Sequence, residues 1–196
     1  MNEMSIRFVA NAFALSLLVS GCATESRIET PAPKADPEDA LLVRVVAADF
    51  AHSASCNDGF AQSGMVVNTS TTSSEGMVSD VWLRRYMEPD TWVRAQPLLP
   101  RLRELNINAT RIDWSIPREG DLIAKDLTGL GILDYLDLMK HVRCAATFLL
   151  PAISTDGLTA LVGFFLISEH GAVAFYTLHR DRGEWWIEDR VYVAFM

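Results

Sequence analysis

The sequence predicts an α+β fold in which N-terminal helices pack on a curved antiparallel sheet formed by the C-terminal third. Apolar residues recur at helical spacing in several segments of the first two thirds of the chain. The last third alternates strand-like runs with short turns that contain Gly, Asp and Ser. One run, 159–168, is apolar on both faces, which is typical of a central strand, so helices are expected across at least one face of the sheet.

The helices are marked mainly by their ends. Asp36-Pro37 is a helix start, because aspartate caps the first turn and proline suits the first helical position. Pro89 is expected to stop a second helix, and Asn106 to end a third in left-handed geometry. The predicted helices occupy 37–52, 79–88, 97–105 and 132–142.

Strands are predicted from short runs bounded by turn residues. Only 65–67 is strand-like within the polar stretch 53–76, so 68–76 is expected to be an exposed loop. Alternating apolar residues predict a half-buried strand over 111–117. The C-terminal meander is predicted to consist of strands 148–153, 159–168, 172–179 and 184–194, joined by turns at 154–157, 169–171 and 181–183.

The C-terminal segments LPAISTDGLTALVGF and LHRDRGEWWIEDRVY are similar to the end of a group of uncharacterised bacterial proteins. The final hairpin of that group reads Leu-x-x-x-x-Gly-x-Trp-x-Ile. The same segments also resemble the last strands of the NTF2-like cone fold. The resemblance implies a cone or half-barrel, and it implies no activity.

The N-terminus has the pattern of an export signal. The run 8–19 is apolar and uncharged, and it is shorter than the ~20 residues that a membrane-spanning helix needs. The residues that follow, Val19-Ser20-Gly21-Cys22, resemble the lipobox of bacterial lipoproteins. The alternative is a chance cysteine after a simple signal peptide.

The lipobox resemblance implies cleavage before Cys22, a diacylglycerol on its sulfur and a further acyl chain, such as palmitate, on its amine. Two or three chains anchor a protein stably, whereas one does not. Ala23 stands where an aspartate would tend to retain the protein in the inner membrane, so the resemblance implies an outer-membrane lipoprotein that faces the periplasm.

The chain is predicted to divide into a lipoprotein signal peptide, 1–21, a flexible tether, 22–37, and a single α+β domain, 38–196. The formal net charge is -8 at pH 7, without a block of Lys or Arg, which excludes typical nucleic-acid binding. Such a chain is also repelled by anionic lipid. Membrane attachment is therefore expected through the lipid anchor and not through charge.

With Cys22 lipidated, Cys56 and Cys144 remain as one pair in an oxidising compartment. A disulfide between them is predicted, and it would stabilise the fold by ~4 kcal/mol in the chain-entropy model. The alternative is two separate buried thiols.

No sequence motif indicates a catalytic residue, a metal site or a cofactor. The four histidines are scattered, and neither His-Glu-x-x-His nor paired Cys-x-x-Cys occurs. Gly-x-Ser-x-Gly and Ser-x-x-Lys are absent as well.

The adjacent indoles of Trp185 and Trp186 must face opposite sides of a strand. Trp185 shares its predicted face with Ile187 and is assigned to the core. Trp186 is assigned to a mixed aromatic and charged strip of the kind found at binding surfaces. The predicted partner-binding residues are Trp186, Glu188, Arg190 and Tyr192, flanked by Arg182 at the hairpin tip. The alternative is that a helix or the tether covers Trp186.

These observations favour a lipoprotein that acts by protein binding, most concretely an immunity protein that neutralises a periplasm-targeted antibacterial toxin. An acidic domain suits the capture of a basic toxin or enzyme, because electrostatic attraction speeds the encounter. One alternative is a structural or assembly lipoprotein of an envelope complex. The other is a small envelope enzyme or ligand carrier that uses a cone-shaped pocket, with His170 or Asp113 as acid or base.

Overall fold

A seven-stranded mixed sheet forms the centre of the fold, in the order β2-β1-β3-β5-β6-β7, with β4 paired to β5. The computed structural model describes residues 34–53, 56, 64–73, 79–113, 122–167 and 172–194, all within one compact unit, Ala32–Met196. The strands are β1 (Met65–Asn68), β2 (Leu122–Lys125), β3 (Cys144–Phe148), β4 (Ala152–Ile153), β5 (Thr159–Ile167), β6 (Ala172–Asp181) and β7 (Glu184–Ala194).

Several predicted features lie outside the described residues. They are the signal peptide 1–21, Cys22, the segments 74–76 and 114–117, and the turn 169–171 with His170.

The α+β prediction is confirmed, but the sheet is not antiparallel throughout. β1 runs parallel to both β2 and β3, whereas β3, β5, β6 and β7 form antiparallel pairs. A helical crossover connects β2 to β3, as parallel strands require. The strand β2 was not predicted, because its four residues carry no clear apolar alternation.

Five helices are described. They are α1 (Pro37–Ala51), α2 (Asp80–Tyr86), α3 (Pro89–Ala95), α4 (Leu99–Leu105, preceded by a 3₁₀ turn, Gln96–Leu98) and α5 (Ile132–Met139). The predicted start of α1 is confirmed, since the Asp36 carboxylate accepts a hydrogen bond from the Glu38 amide at 2.9 Å. Pro89 follows the end of α2 as predicted, but it also begins α3, which was not predicted.

Helices cover both faces of the sheet. On one face α1 packs Leu42, Val46 and Phe50 against Val162 and Phe164 of β5. On the other face α2 to α4 pack on the opposite side of the same strand, and α5 covers the region of β1 and β3. The strand β5 is therefore central and covered on both sides, as its sequence predicts.

The predicted disulfide is present between Cys56 and Cys144, whose sulfur atoms lie 2.00 Å apart. Both residues are buried. The bond connects the chain beyond α1 to the first residue of β3.

Residues 34–37 of the predicted tether belong to the folded domain. The Ala35 amide donates to the Arg111 carbonyl at 2.8 Å, and the Lys34 ammonium lies 2.6 Å from the Asp113 carboxylate. Ala35 is buried, and Asp36 caps α1. The folded domain therefore includes 34–37 and does not begin at 38, because these backbone and side-chain contacts hold the segment against the domain.

Two asparagines differ from their predicted roles because their side chains satisfy buried backbone groups. Asn68, assigned to an exposed loop, is buried and accepts from the Leu127 amide at 3.1 Å. Asn106 has φ -110°, which is not left-handed. Its amide donates to the carbonyls of Leu102 and Leu150 at 2.8 and 2.9 Å, so it joins α4 to the segment after β3.

Candidate functional site

A β-bulge in β7 interrupts the predicted partner-binding strip. Leu178 of β6 pairs with Ile187, but Thr177 pairs with Asp189, so Glu188 is an extra residue. Such an insertion shifts the alternation of side chains between the two faces. Residues on the two sides of Glu188 therefore do not follow the simple two-residue period, and the prediction of one continuous strip is wrong.

The first part of the strip lies on the side of the sheet covered by α2 to α4. Trp186 pairs with His179 of β6, whose side chain shares a face with that of buried Thr177. Trp186 is 60% exposed. The Glu188 carboxylate contacts the Arg94 guanidinium of α3 at 2.5 Å. The predicted exposure of Trp186 is confirmed.

The second part of the strip lies on the α1 side and is engaged within the domain. The Arg190 guanidinium binds the Asp49 carboxylate through two hydrogen bonds of 2.8 and 2.6 Å. The Tyr192 and Tyr176 hydroxyls lie 2.7 Å apart, and the Tyr192 ring packs 6.0 Å from that of Phe50. These contacts hold α1 on the sheet, so Arg190 and Tyr192 act first as structural residues.

The electrostatics of this network follow from its contacts. The hydrogen bonds from Arg190 hold the pKa of Asp49 below its ordinary value. Burial, together with the Tyr192 hydroxyl, raises the pKa of Tyr176 above its ordinary value. The network therefore favours a charged Asp49 carboxylate and a neutral Tyr176 hydroxyl.

Trp185 is half-buried against the α1-side core, which agrees with its assignment to the core. The Arg180 guanidinium lies 5.4 Å from the centre of its ring and forms an ion pair of 3.0 Å with Glu38 on the first turn of α1. This contact joins the start of α1 to the β6–β7 hairpin.

Three side chains near this hairpin are exposed: Trp186 on the α2–α4 side of the sheet, Arg182 in the turn, and Leu158 beside Arg180, which faces α1. Arg182 and Gly183 both have positive φ, 51° and 89°, as in a two-residue type I′ turn. The Arg182 side chain is almost fully exposed. Leu158, also exposed, accepts a hydrogen bond through its carbonyl from the Arg180 amide at 2.8 Å.

An exposed surface lies at the opposite edge of the sheet. Leu133 and Leu136 are neighbours on α5 and are 77% and 49% exposed. Ile123 of β2, which is also exposed, pairs with Val66, and Val66 belongs to the cluster that α5 covers. We call Leu133 and Leu136 the leucine ridge.

Sequence reasoning predicted this helix over 132–142 but did not identify which of its leucines are exposed. The structure buries part of Leu138 and Met139. Asp134 and Asp137 could have indicated the exposed side, because acidic residues on a short helix mark its solvent-facing side.

Other candidate groups are distributed without a shared centre. Burial, with Asp36 and Glu38 nearby, raises the pKa of Asp39 to about 6. Asp113, considered as an acid or base, is paired with Lys34. Across the described ranges, no group of three His, Cys, Asp or Glu residues is placed to hold a metal ion. None of the described helices combines the length and apolar character needed to cross a bilayer.

Comparison of the chain with protein-family models, with curated proteins and with solved structures finds no match.

Proposed function

We propose that this protein is an exported lipoprotein, anchored in the outer membrane through Cys22, that acts in the periplasm by binding a protein partner. The lipobox-like sequence at 19–22 supports the anchor. The observation that carries the binding role is the leucine ridge. Its most concrete form is an immunity protein that neutralises a periplasm-targeted antibacterial toxin.

The leucine ridge has the features of a protein-docking surface. Exposed apolar side chains that lie together and are rimmed by polar groups mark interaction sites more often than isolated ones do. Leu133 and Leu136 present an apolar edge one helical turn long, which fits a groove on a partner. Burying them would remove apolar surface from water.

The charges around the ridge favour a basic partner. Asp134 and Asp137 are exposed beside the two leucines, and the Lys140 ammonium lies 3.3 Å from the Asp137 carboxylate in a solvent-exposed pair. The chain as a whole carries a formal charge of -8. A basic toxin would therefore be steered toward the domain and would find opposite charges at the rim of the contact.

Within this proposal, the antiparallel half of the sheet is a cone of the NTF2-like type. The hairpin resemblance supports this shape. The bulge at Glu188 supports it as well, because bulges bend a strand and increase its local twist.

The immunity role is tested by growth protection. A strain that lacks this gene expresses the neighbouring genes with export to the periplasm, and the wild-type protein is expected to restore growth. Absence of any inhibitory neighbour would argue against an immunity protein. Anchoring is tested separately by labelled palmitate, which should mark the wild type and leave Cys22→Ser unlabelled.

The binding surface is tested with variants of the ridge. Leu133→Asp combined with Leu136→Asp should weaken the partner by about 2 kcal/mol or more, roughly a 30-fold rise in Kd, and should abolish protection. Val93→Asp is the matched control, because Val93 is an apolar side chain of α3 that is 68% exposed. If the ridge variant protects as well as the Val93 variant, the ridge is not the docking surface.

A further inference from the structure

The β-bulge in β7 places two carboxylates on one face of the sheet. Asp189 pairs with Thr177, which shares its face with Phe175 of the core under α2 to α4. Glu188, the extra residue of the bulge, contacts Arg94 of α3 and therefore lies on the same side. Consecutive side chains of a regular strand face opposite sides, so it is the bulge that makes Glu188 and Asp189 neighbours.

Two polar atoms beside the bulge lack a hydrogen-bond partner. Thr177 is fully buried, and its hydroxyl oxygen Oγ1 has no partner within the part of the chain that the structure describes. The same holds for Oδ2 of half-buried Asp189, whose Oδ1 accepts from the Arg190 amide at 2.8 Å. Polar groups that are buried without a partner lower stability and are uncommon in folded proteins. The pair therefore points to a ligand that supplies the missing hydrogen bonds.

The formal charges at the bulge favour a cation as this ligand. The Arg94 guanidinium binds Glu188, through Nη2 at 2.5 Å and Nε at 3.3 Å. The guanidinium of Arg190, although next to Asp189 in sequence, binds Asp49 on the α1 side of the sheet. One formal negative charge, that of Asp189, is therefore left without a cationic side chain, and one monovalent cation would balance it.

The neighbouring side chains favour a guanidinium group as the cation. Its planar array of N–H donors can reach the Asp189 carboxylate and the Thr177 hydroxyl together, whereas Ca²⁺ takes many more oxygen ligands than these. Trp186 is the next exposed residue on the same face, and its ring can stack on a guanidinium. The contact of Arg94 with Glu188 shows that a guanidinium fits against this bulge.

We propose that Asp189 and Thr177 form a binding site for a guanidinium group from outside the chain, with Trp186 stacked on that group. The group belongs to an arginine of a protein partner or to a small guanidinium compound. Because Oδ2 of Asp189 is covered, a surface side chain must move when the group binds, and exposed Trp186 is expected to reorient. The site depends neither on the lipid anchor nor on the leucine ridge.

The test is a titration of the purified protein with the blocked tripeptide Gly-Arg-Gly, followed by NMR of the ¹⁵N-labelled indole groups. The indole N–H signal of Trp186, identified by its loss in Trp186→Phe, is expected to shift and to saturate. The Kd should be on the order of 1 mM, since one ion pair and one stacked ring contribute. The same tripeptide with citrulline in place of arginine has a similar shape and no charge, and it should give no saturable shift.

Two variants of the site are compared with one control. Asp189→Asn removes the charge and should raise the Kd at least about tenfold, and Thr177→Val removes the hydroxyl and should raise it about threefold. Glu104→Gln removes an exposed negative charge on α4 and should keep the Kd of wild type. Thr177→Val is also expected to keep the thermal stability of wild type, because the hydroxyl that it removes has no partner in the fold.

Three outcomes would overturn the site: no saturable shift of Trp186 in wild type, equal binding of the citrulline peptide, or a wild-type Kd in Asp189→Asn. If Asp189→Asn does not fold, Thr177→Val decides in its place, and an unchanged Kd overturns the site. Methylguanidine, titrated in parallel, distinguishes the two sources of the group. Tighter binding of the peptide supports an arginine of a protein partner, and tighter binding of methylguanidine supports a small compound.

Discussion

Asp49 near the end of α1 and Arg190 of β7 meet through two hydrogen bonds, 2.8 Å from Nε to Oδ2 and 2.6 Å from Nη2 to Oδ1. At the other end of the same helix, Glu38 pairs with Arg180 of β6. The helix is thus fixed at both ends to neighbouring strands at one edge of the sheet. Between these ends its apolar side chains pack on β5, so the ion pairs set the position of a helix that burial already attaches.

Arg190→Ala is expected to lower the free energy of unfolding by about 1 kcal/mol. The Asp49–Arg190 pair is partly exposed and screened by solvent. It is nevertheless expected to contribute more stability than an ordinary surface pair, because it has two hydrogen bonds and because Arg190 packs 5.8 Å from the centre of the Tyr176 ring. Urea denaturation measures the free energy of unfolding. The control is Lys140→Ala, which removes an exposed ion pair at the end of α5 and should change this free energy by less than about 0.5 kcal/mol. Equal effects of the two variants would contradict the structural role of Arg190.

The same strand shows where sequence reasoning succeeds and where it ends. The turn at Arg182-Gly183 and the exposure of Trp186 follow from local chemistry, because backbone conformation and alternation are properties of neighbouring residues. The bulge at Glu188 depends on register with β6, which no pattern within β7 reveals. Arg190 and Tyr192 therefore could not be placed on the α1 side from sequence alone.

The rest of the fold divides in the same way. The cap at Asp36 was predictable because Asp followed by Pro is typical of a helix start. The strand β5 was predictable because a run that is apolar on both faces is typical of a strand covered on both sides. The parallel pairing of β1 with β2 was not, since these strands are four residues long and lie far apart in the chain. Buried Asn68 was also beyond prediction, because its partners, such as Leu127, are distant in sequence.

Asp39→Asn is expected to stabilise the protein at pH 7 by about 1 kcal/mol and to change little at pH 4. Burial raises the pKa of Asp39 in the folded state to about 6, above its ordinary value of 3.8. The folded state then holds this proton more tightly than the unfolded state, so stability falls as pH rises through about 6. The figure is reduced for solvent screening, because the carboxylate is only half-buried.

The measurement is urea denaturation of wild type and Asp39→Asn at pH 4, 5, 6 and 7. The difference between them should grow with pH and level off above about 6. Val81→Ser, at an exposed position without a titrating side chain, should shift stability by the same amount at every pH. A difference between Asp39→Asn and wild type that does not vary with pH would contradict the raised pKa.

Removing the disulfide with Cys56→Ala and Cys144→Ala is expected to cost about 4 kcal/mol in the chain-entropy model, which would leave many domains of this size close to unfolding. The bond closes a loop across a sequence separation of 88 residues and lies in the core between the end of the α1 region and β3. Thermal unfolding of wild type with and without reductant gives the same comparison without a change of sequence. Cys22→Ser is the control, because Cys22 precedes the folded domain, and it should unfold like wild type. Two free thiols in the folded, non-reduced protein besides Cys22, counted by alkylation and mass spectrometry, would show that Cys56 and Cys144 are not bonded.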